Sequence, residues 1–236
     1  MYWLIIFVSI ASISGHIATL KNDRSDPASP FFSANDRSRW CTIRSLVDHG
    51  TYEIDQVLEA ESDIRWNTID KVVHPNAEGD LRSYSSKPPL MPTMIAGKYW
   101  LLKKMGLTLA DDTMLVARVI VFVTNVAPFV IFLILLAAML ERIVVHDWTR
   151  YFVLFAAGFG TFLTTFSVSL NNHLPAAFCV MAGCIVWIAS IAREPFAMTV
   201  VRRVGCIILL RVCWELLQQR TNCQRFRSLP ARVLCV

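Results

Sequence analysis

Two short stretches of the 236-residue sequence carry side chains that could do chemistry. The first is Asn35–Trp40, which contains Asp36 about sixteen residues beyond an apolar N-terminal run. An aspartate at the boundary between water and membrane can take the proton from a hydroxyl or amine acceptor, alone or with a bound divalent cation. The alternative is structural, because Asp36 also suits a helix N-cap, a position for which Ser33 and Asn35 compete.

The second stretch is Tyr84–Leu90, in which Lys87 is followed by two prolines. Lys87, Arg37 and Arg39 are candidate contacts for a phosphate, since arginine offers paired donors and lysine a point charge. The prolines fix the backbone ahead of the next helix and so direct Lys87 back toward the polar segment. The alternative is that these cations are solvated or contact anionic lipid headgroups.

A third polar group, Asn171–His173, separates two uncharged runs. Polar residues at membrane depth are costly and often functional, which makes His173 a candidate substrate contact. The sequence favours the simpler interpretation of a turn at the membrane surface, with Pro175 starting the next helix.

The sequence around these groups has the composition of a membrane protein. Charged residues make up 17% and hydrophobic residues 55%, whereas soluble domains have about 25% charged residues. Four runs approach the roughly 20 apolar residues that cross a bilayer; they are 2–20, 114–140, 151–170 and 174–192. A cleaved signal peptide is the alternative for the first run, but no basic segment precedes it. We expect Pro128 to kink the second.

These runs predict an all-α integral membrane protein, a multi-span helical bundle with a large first extracytoplasmic loop. The predicted segments are a first transmembrane helix (1–20), an extracytoplasmic loop with interfacial helices (21–112), a three-span helical body (113–192) and a tail rich in arginine and cysteine (193–236).

Within the loop, apolar residues at helical spacing predict an amphipathic helix over 38–48 that stops at Gly50. The pattern over 52–73 is compatible with short strands or turns. The segment 90–105 is a strained span or an interfacial helix. The interfacial helix is preferred, because it places the basic loop 141–150 in the cytoplasm.

Charge and cysteine spacing argue against several other classes. The net charge of +5 comes from scattered basic residues, many of them between apolar runs. This pattern indicates the positive-inside bias of membrane proteins, and we expect no nucleic-acid partner. The seven cysteines form no CxxC pair and no metal-ligand spacing, so no metal-binding residues are predicted.

Together these features resemble the GT-C glycosyltransferases, especially the protein-mannosyltransferase-like and aminoarabinose-transferase-like group of family 39. The matching segments lie within roughly residues 1–192: Asn35–Trp40 resembles the early acidic motif, Ser86–Leu90 the Lys-Pro-Pro-Leu segment, and Ala117 with Arg118 the Ala-Arg pair before a span. The resemblance implies an inverting transfer of a sugar from a polyprenyl phosphate. It makes Asp36 the catalytic carboxylate, places Lys87 near the lipid phosphate, and puts His173 where relatives often have a second polar or acidic group.

The sequence departs from the family pattern at two positions. Arg37 and Ser86 stand where many relatives have an acid, and Glu78 or Asp80 are candidate replacements. Relatives also have more spans, and the tail from residue 193 contains eight arginines and four cysteines. Such a composition is typical of out-of-frame translation, so we expect a truncated or frameshifted chain; a short cytoplasmic tail is the alternative.

The resemblance also implies a bacterial cytoplasmic membrane as the location. The expected partners are the lipid bilayer, a polyprenyl-phosphate-linked sugar and, as a further candidate, another membrane protein. The alternative function is that of a non-enzymatic integral membrane protein, such as a scaffold, an assembly partner or an inactive remnant. The resemblance does not identify the sugar, the acceptor or a cofactor.

Overall fold

The computed structural model describes residues 1–21, 29–59, 66–76 and 79–192, so the predictions for Glu78 and for the tail 193–236 lie outside the described residues. One compact unit comprises residues 1–178 and contains all the candidate site residues. A second unit, residues 179–236, is described only up to the end of a helix at Ala192. The described residues are mostly helical, as predicted, with one small sheet in addition.

The elements follow one another along the described residues in a simple order. They are α1 (Tyr2–Ala18), α2 (Ala34–Asp48), α3 (Asp55–Glu59), β1 (Lys71–Pro75), β2 (Leu81–Ser85), α4 (Leu90–Lys104), α5 (Thr113–Val121), α6 (Ala127–Ile143), α7 (Asp147–Phe159), α8 (Phe162–Thr165) and α9 (His173–Ala192). A π-helical turn, Phe122–Val126, joins α5 to α6, and a 3-10 turn, Phe166–Val168, follows α8.

Helix α2 is the centre of the polar segment between α1 and α5. The helix predicted over 38–48 is confirmed, and it begins four residues earlier because Ser33 caps it. It ends at Asp48, and Gly50 follows with a φ of +73°, the left-handed conformation that stops a helix and favours glycine. Its Trp40 is fully buried and contacts the ring of Phe31, which in turn contacts Trp66.

A two-stranded antiparallel hairpin lies beside α2. Its first strand begins within the segment 52–73, for which the sequence allowed short strands or turns, and its second strand lies beyond that segment. Strand β1 pairs with β2 in a register that places Lys71 opposite Ser85 and Pro75 opposite Leu81. The hairpin is attached to the chain before it, because Ile54 N donates to Ser83 O at 2.9 Å. Asp55 Oδ2 accepts a second bond from Ser83 N at 2.7 Å.

Helix α4 packs along α2. With 15 residues it is about 22 Å long, shorter than the roughly 30 Å hydrocarbon core of a bilayer. The interfacial placement of 90–105 stays a prediction, because α1, with 17 residues, is also shorter than the hydrocarbon core. The buried Tyr99 hydroxyl lies 3.2 Å from Asp48 Oδ1 and accepts a bond from Leu109 N at 3.0 Å, which ties α4 to the end of α2 and to the chain that follows α4.

Two helical segments are long and apolar enough to cross a membrane by length and composition: Thr113–Ile143, which contains 31 residues, and Asp147–Val168, which contains 22. The first includes the π-helical turn immediately before Ala127 and Pro128. Pro128 has no N–H to return to Thr124, so the irregularity expected at this proline takes the form of a widened turn. Lys98 of α4 donates to the Thr124 hydroxyl at 3.0 Å.

The segment Asp147–Val168 is not a continuous helix, because α7 ends at Phe159 and Gly160 interrupts it before α8. Helix α1 packs against α7 through a close contact in which Ser9 Oγ donates to Gly158 O at 2.8 Å. A Cβ atom at Gly158 would lie 3.2 Å from that hydroxyl oxygen, so glycine permits this approach.

Candidate functional site

The N-terminus of α2 is held by a reciprocal capping box. Ser33 is the N-cap, and its hydroxyl oxygen accepts a hydrogen bond from Asp36 N at 3.1 Å. In return, Asp36 Oδ2 accepts bonds from Ser33 N at 3.2 Å and from the Ser33 hydroxyl at 2.5 Å. Asp36 is therefore the third residue of the helix rather than its cap, and Asn35 does not take the cap position.

The surroundings of Asp36 disfavour its charged form. The residue is only 5% exposed, and this burial raises the pKa of Asp36 above its usual range, although the bonds from Ser33 and the charges of Arg39 and Arg37 act in the other direction. Its Oδ1 atom lies 3.9 Å from Arg39 Nη1. The carboxylate is thus a stronger base than a solvated aspartate.

Lys87 forms an ion pair with an aspartate that the sequence pattern did not single out. Its Nζ atom lies 2.9 Å from Asp70 Oδ2, and the other carboxylate oxygen accepts a hydrogen bond from the Ser86 hydroxyl. Lys87 is 25% exposed and Asp70 18% exposed, so the pair remains accessible from the solvent side.

Asp70 is held in its charged form by these two partners. Burial alone would raise its pKa, but the hydrogen bonds from Ser86 and Lys87 and the positive charges of Lys87 and Arg39 outweigh that effect, and the pKa of Asp70 lies below its usual range. The pKa values of Asp36 and Asp70 are therefore shifted in opposite directions, although the positive charge of Arg39 lowers both.

Hydrogen bonds tie the hairpin to α2 at this point. The buried Ser38 hydroxyl donates to Asp70 O at 2.7 Å and lies 2.6 Å from Ser85 Oγ. Ser85 Oγ also accepts from Lys87 N at 3.2 Å. Ser38 thus links the two chain segments that carry Asp70 and Lys87 to the helix that carries Asp36 and Arg39.

The two arginines expected to contact phosphate have different roles. Arg37 Nη1 donates to Phe31 O at 3.0 Å and Phe32 O at 3.1 Å, which ties the chain before α2 to the helix. Arg39 instead donates to Leu170 O at 3.0 Å, so it joins α2 to the connection between the 3-10 turn and α9. Arg39, but not Arg37, therefore belongs with Lys87 and Asp70.

His173 is exposed and begins α9. The turn predicted at 171–173 is present: Asn171 Oδ1 accepts from His173 N at 3.0 Å, and the buried Asn171 amide donates to Phe166 O at 2.7 Å. The His173 ring lies 4.3 Å from that of Phe166. Within the described residues no hydrogen bond or ion pair joins His173 to Asp36 or Lys87.

We define the polar cluster as Asp36, Arg39, Asp70, Ser86 and Lys87. Asp70 is the member that the sequence interpretation missed. A hairpin prediction would have found it, because the register that pairs Lys71 with Ser85 brings Asp70 beside Ser86. Asp80 lies in the turn at the far end of the hairpin, where it contacts Arg82 at 3.4 Å, so it does not replace the missing acid. Asp70 provides a carboxylate there instead.

Across the described residues no three histidine, cysteine, aspartate or glutamate side chains converge in a way that could hold a metal ion. In the polar cluster, only the carboxylates of Asp36 and Asp70 could contact a divalent cation. The binding of such a cation stays a prediction.

Comparison with known proteins gives no relative: no family profile, curated protein or solved structure matches this chain. The functional conclusion therefore depends on the residues of this chain and their geometry.

Proposed function

We propose that this protein is a membrane glycosyltransferase of the GT-C type, which transfers a sugar from a polyprenyl phosphate to an acceptor outside the cytoplasm. The observation that carries the proposal is the polar cluster. Two cations and two carboxylates with oppositely shifted pKa values lie together where the chain enters α4. Paired groups with separated pKa values suit a reaction that needs both a base and a site for an anion.

The apolar helices support a location in a bilayer. Two segments have the length and composition of spans, and large apolar side chains on α1 and α7 face outward. Trp3, Phe7 and Phe152 are 72%, 70% and 60% exposed. Lipid contact explains such exposure better than water does. In this arrangement the protein is an integral membrane protein of a bacterial cytoplasmic membrane, and the polar segment containing α2, the hairpin and α4 faces the extracytoplasmic side.

Each residue of the polar cluster has a role in the proposed reaction. Lys87 and Arg39 hold the phosphate of the donor, with Asp70 and Ser86 orienting the lysine amine. The acceptor oxygen or nitrogen attacks C1 of the sugar, and the bond from C1 to the phosphate oxygen breaks. The electron pair leaves with the polyprenyl phosphate. Asp36 takes the acceptor proton on Oδ1, since Oδ2 receives the two Ser33 bonds.

A transfer assay tests this proposal. Membranes containing the protein are supplied with radiolabelled polyprenyl-phosphate mannose or aminoarabinose, and label moving to extracytoplasmic acceptors is counted. Asp36→Asn keeps the side-chain shape but removes the base, so we expect transfer to fall about 100-fold or more while membrane insertion is retained. Asp80→Asn, in the exposed hairpin turn, is the matched control. Transfer at the parental rate by Asp36→Asn would remove this residue from the role.

A non-enzymatic membrane protein is the second candidate, and one observation favours it. The charged groups of the site already have partners within the chain: the capping box holds Asp36, and Asp70 neutralises Lys87. A scaffold would need these bonds only for stability. A lack of transfer together with a lack of polyprenyl-phosphate binding would favour this function.

A further inference from the structure

A groove between α1 and α5 lies outside the polar cluster. Its volume is about 420 Å³, and it is a shallow groove that is more open than enclosed. Its walls come from the last turns of α1, from α5 and from the first residue of the π-helical turn: Ser14, Ile17, Ala18, Arg118, Val119 and Phe122. All but two of these side chains are apolar, and the only charge is that of Arg118.

Arg118 is incompletely paired at the end of this groove. One of its terminal nitrogens donates to Leu20 O at 2.6 Å, whereas its buried Nε atom has no hydrogen-bond partner. Within the described residues Arg118 forms no ion pair. The residue is half-buried, and leaving the buried Nε–H without an acceptor is unfavourable. A phosphate group can accept two parallel bonds from a guanidinium.

The position of Arg118 matches the depth of a lipid headgroup in the proposed membrane orientation. Its partner Leu20 lies just beyond the end of α1, where the chain leaves the first apolar helix for the polar segment. The apolar walls then run from this level into the region of the hydrocarbon chains. A molecule with an anionic head and an apolar tail is complementary to both parts.

We propose that this groove binds one anionic phospholipid of the surrounding bilayer, with its phosphate on Arg118 and an acyl chain along Ile17, Val119 and Phe122. The inference relies on the proposed membrane location but not on the transfer reaction. The site is separate from the polar cluster, because its lining residues share no member with that cluster. The lipid would fill the groove and neutralise a charge that has no carboxylate partner among the described residues.

Native mass spectrometry of the detergent-purified protein tests the inference. Phosphatidylglycerol and phosphatidylcholine with identical acyl chains are added at equal concentrations, and the first bound lipid is counted. We expect about tenfold preference for phosphatidylglycerol, because its headgroup has a net negative charge whereas the choline cation of phosphatidylcholine offsets its phosphate. Arg118→Gln should abolish the preference, whereas Arg142→Gln, an exposed arginine in the last turn of α6, should retain it.

A second variant covers the case in which Arg118→Gln fails to fold. Ala18→Phe keeps the guanidinium but fills the groove, and we expect it to lose the preferred lipid. Equal binding of the two lipids by the parent, or an unchanged preference in a folded Arg118→Gln or Ala18→Phe variant, would overturn the inference. Lys87→Gln should keep the lipid preference, so failure of the transferase proposal at the polar cluster would be distinguishable from failure here.

Discussion

Asp36 and Asp70 show how neighbouring residues give two identical side chains different properties. Asp36 is buried at the start of α2, and burial raises its pKa despite the bonds from Ser33. Burial also raises the pKa of Asp70, but the hydrogen bonds from Ser86 and Lys87 and the charge of Lys87 lower it by more, so the pKa lies below its usual range. The first carboxylate is therefore suited to accept a proton, and the second to hold a cation in place.

The capping box makes a prediction about stability. Ser33→Ala removes the side-chain acceptor for Asp36 N and one donor to Asp36 Oδ2. We expect a loss of about 1 kcal/mol in the free energy of unfolding. Asn35→Ala, one position from the box and exposed, should change it by only a few tenths. Chemical denaturation in detergent measures both, and equal losses would mean that the box contributes nothing specific.

The lowered pKa of Asp70 predicts a pH dependence of stability. Because the folded pKa lies below the ordinary value of 3.8, the ion pair contributes stability above about pH 4 and loses it as the pH falls through the folded pKa. Asp70→Asn should therefore be less stable than the parent at pH 7, with a difference that shrinks toward pH 3. Thermal unfolding midpoints from pH 3 to 7 measure this. Asp80→Asn is the control, and a pH-independent difference would contradict the account.

Sequence reasoning at this scale found Lys87, Asp36 and Arg39 but not the bonds among them. Residue type and local spacing predict which side chains can act. The partner of Lys87 lies across a hairpin whose register the mixed sequence over 52–73 did not reveal. Asp70 was therefore missed, and Arg37 was grouped with the phosphate contacts although it holds the backbone at Phe31. Long-range pairings of this kind depend on tertiary packing.

At the scale of elements, α2 is defined by its two ends. Ser33 and Asp36 begin it, and the left-handed Gly50 follows its last turn. The sequence predicted the helix and its stop at Gly50 but placed its start at residue 38, four residues late. At Pro128 the sequence predicted a kink, and the structure has a π-helical turn immediately before it. The break at Gly160 was not predicted, since the run 151–170 is uniformly uncharged and a helix breaker in lipid gives a weak signal.

Two glycines provide opposite predictions for the same substitution. Gly50 has a φ of +73°, and a Cβ there meets no atom, so Gly50→Ala should cost roughly 1 kcal/mol through backbone strain alone. Gly97 lies exposed in α4 with an equally open Cβ position and no such φ, so Gly97→Ala should stabilise the protein by up to about 1 kcal/mol. Unfolding free energies of the two variants are compared with that of the parent. A shift of the same sign in both would contradict this explanation.

At the scale of the whole molecule, the polar segment and the helices from α1 to α8 lie in one compact unit. Ser38 and Arg39 join α2 to the hairpin and to the connection before α9. Lys98 and Arg118 join the ends of the polar segment to α5, the π-helical turn and α1. In the proposed membrane location, these contacts would hold the polar cluster at a fixed distance from the bilayer surface.

The proposed topology predicts which loops are accessible from outside the cell. Asp80 in the hairpin turn is 65% exposed, and Val145 between α6 and α7 is 84% exposed. A membrane-impermeant maleimide should label Asp80→Cys in intact spheroplasts and Val145→Cys only after permeabilisation. In each case the labelling of the parent chain, which has seven cysteines of its own, is subtracted. Labelling of both from outside would contradict the orientation, and so would labelling of neither after permeabilisation.

The most direct test of the central claim is the binding of a polyprenyl phosphate to the purified protein. We predict saturable binding in detergent that weakens about tenfold in Lys87→Gln, which loses the charge that would contact the phosphate. Lys104→Gln, an exposed lysine at the end of α4, should bind like the parent. Absence of saturable binding, or equal affinity in the parent and Lys87→Gln, would contradict the assignment of the polar cluster as a lipid-phosphate site.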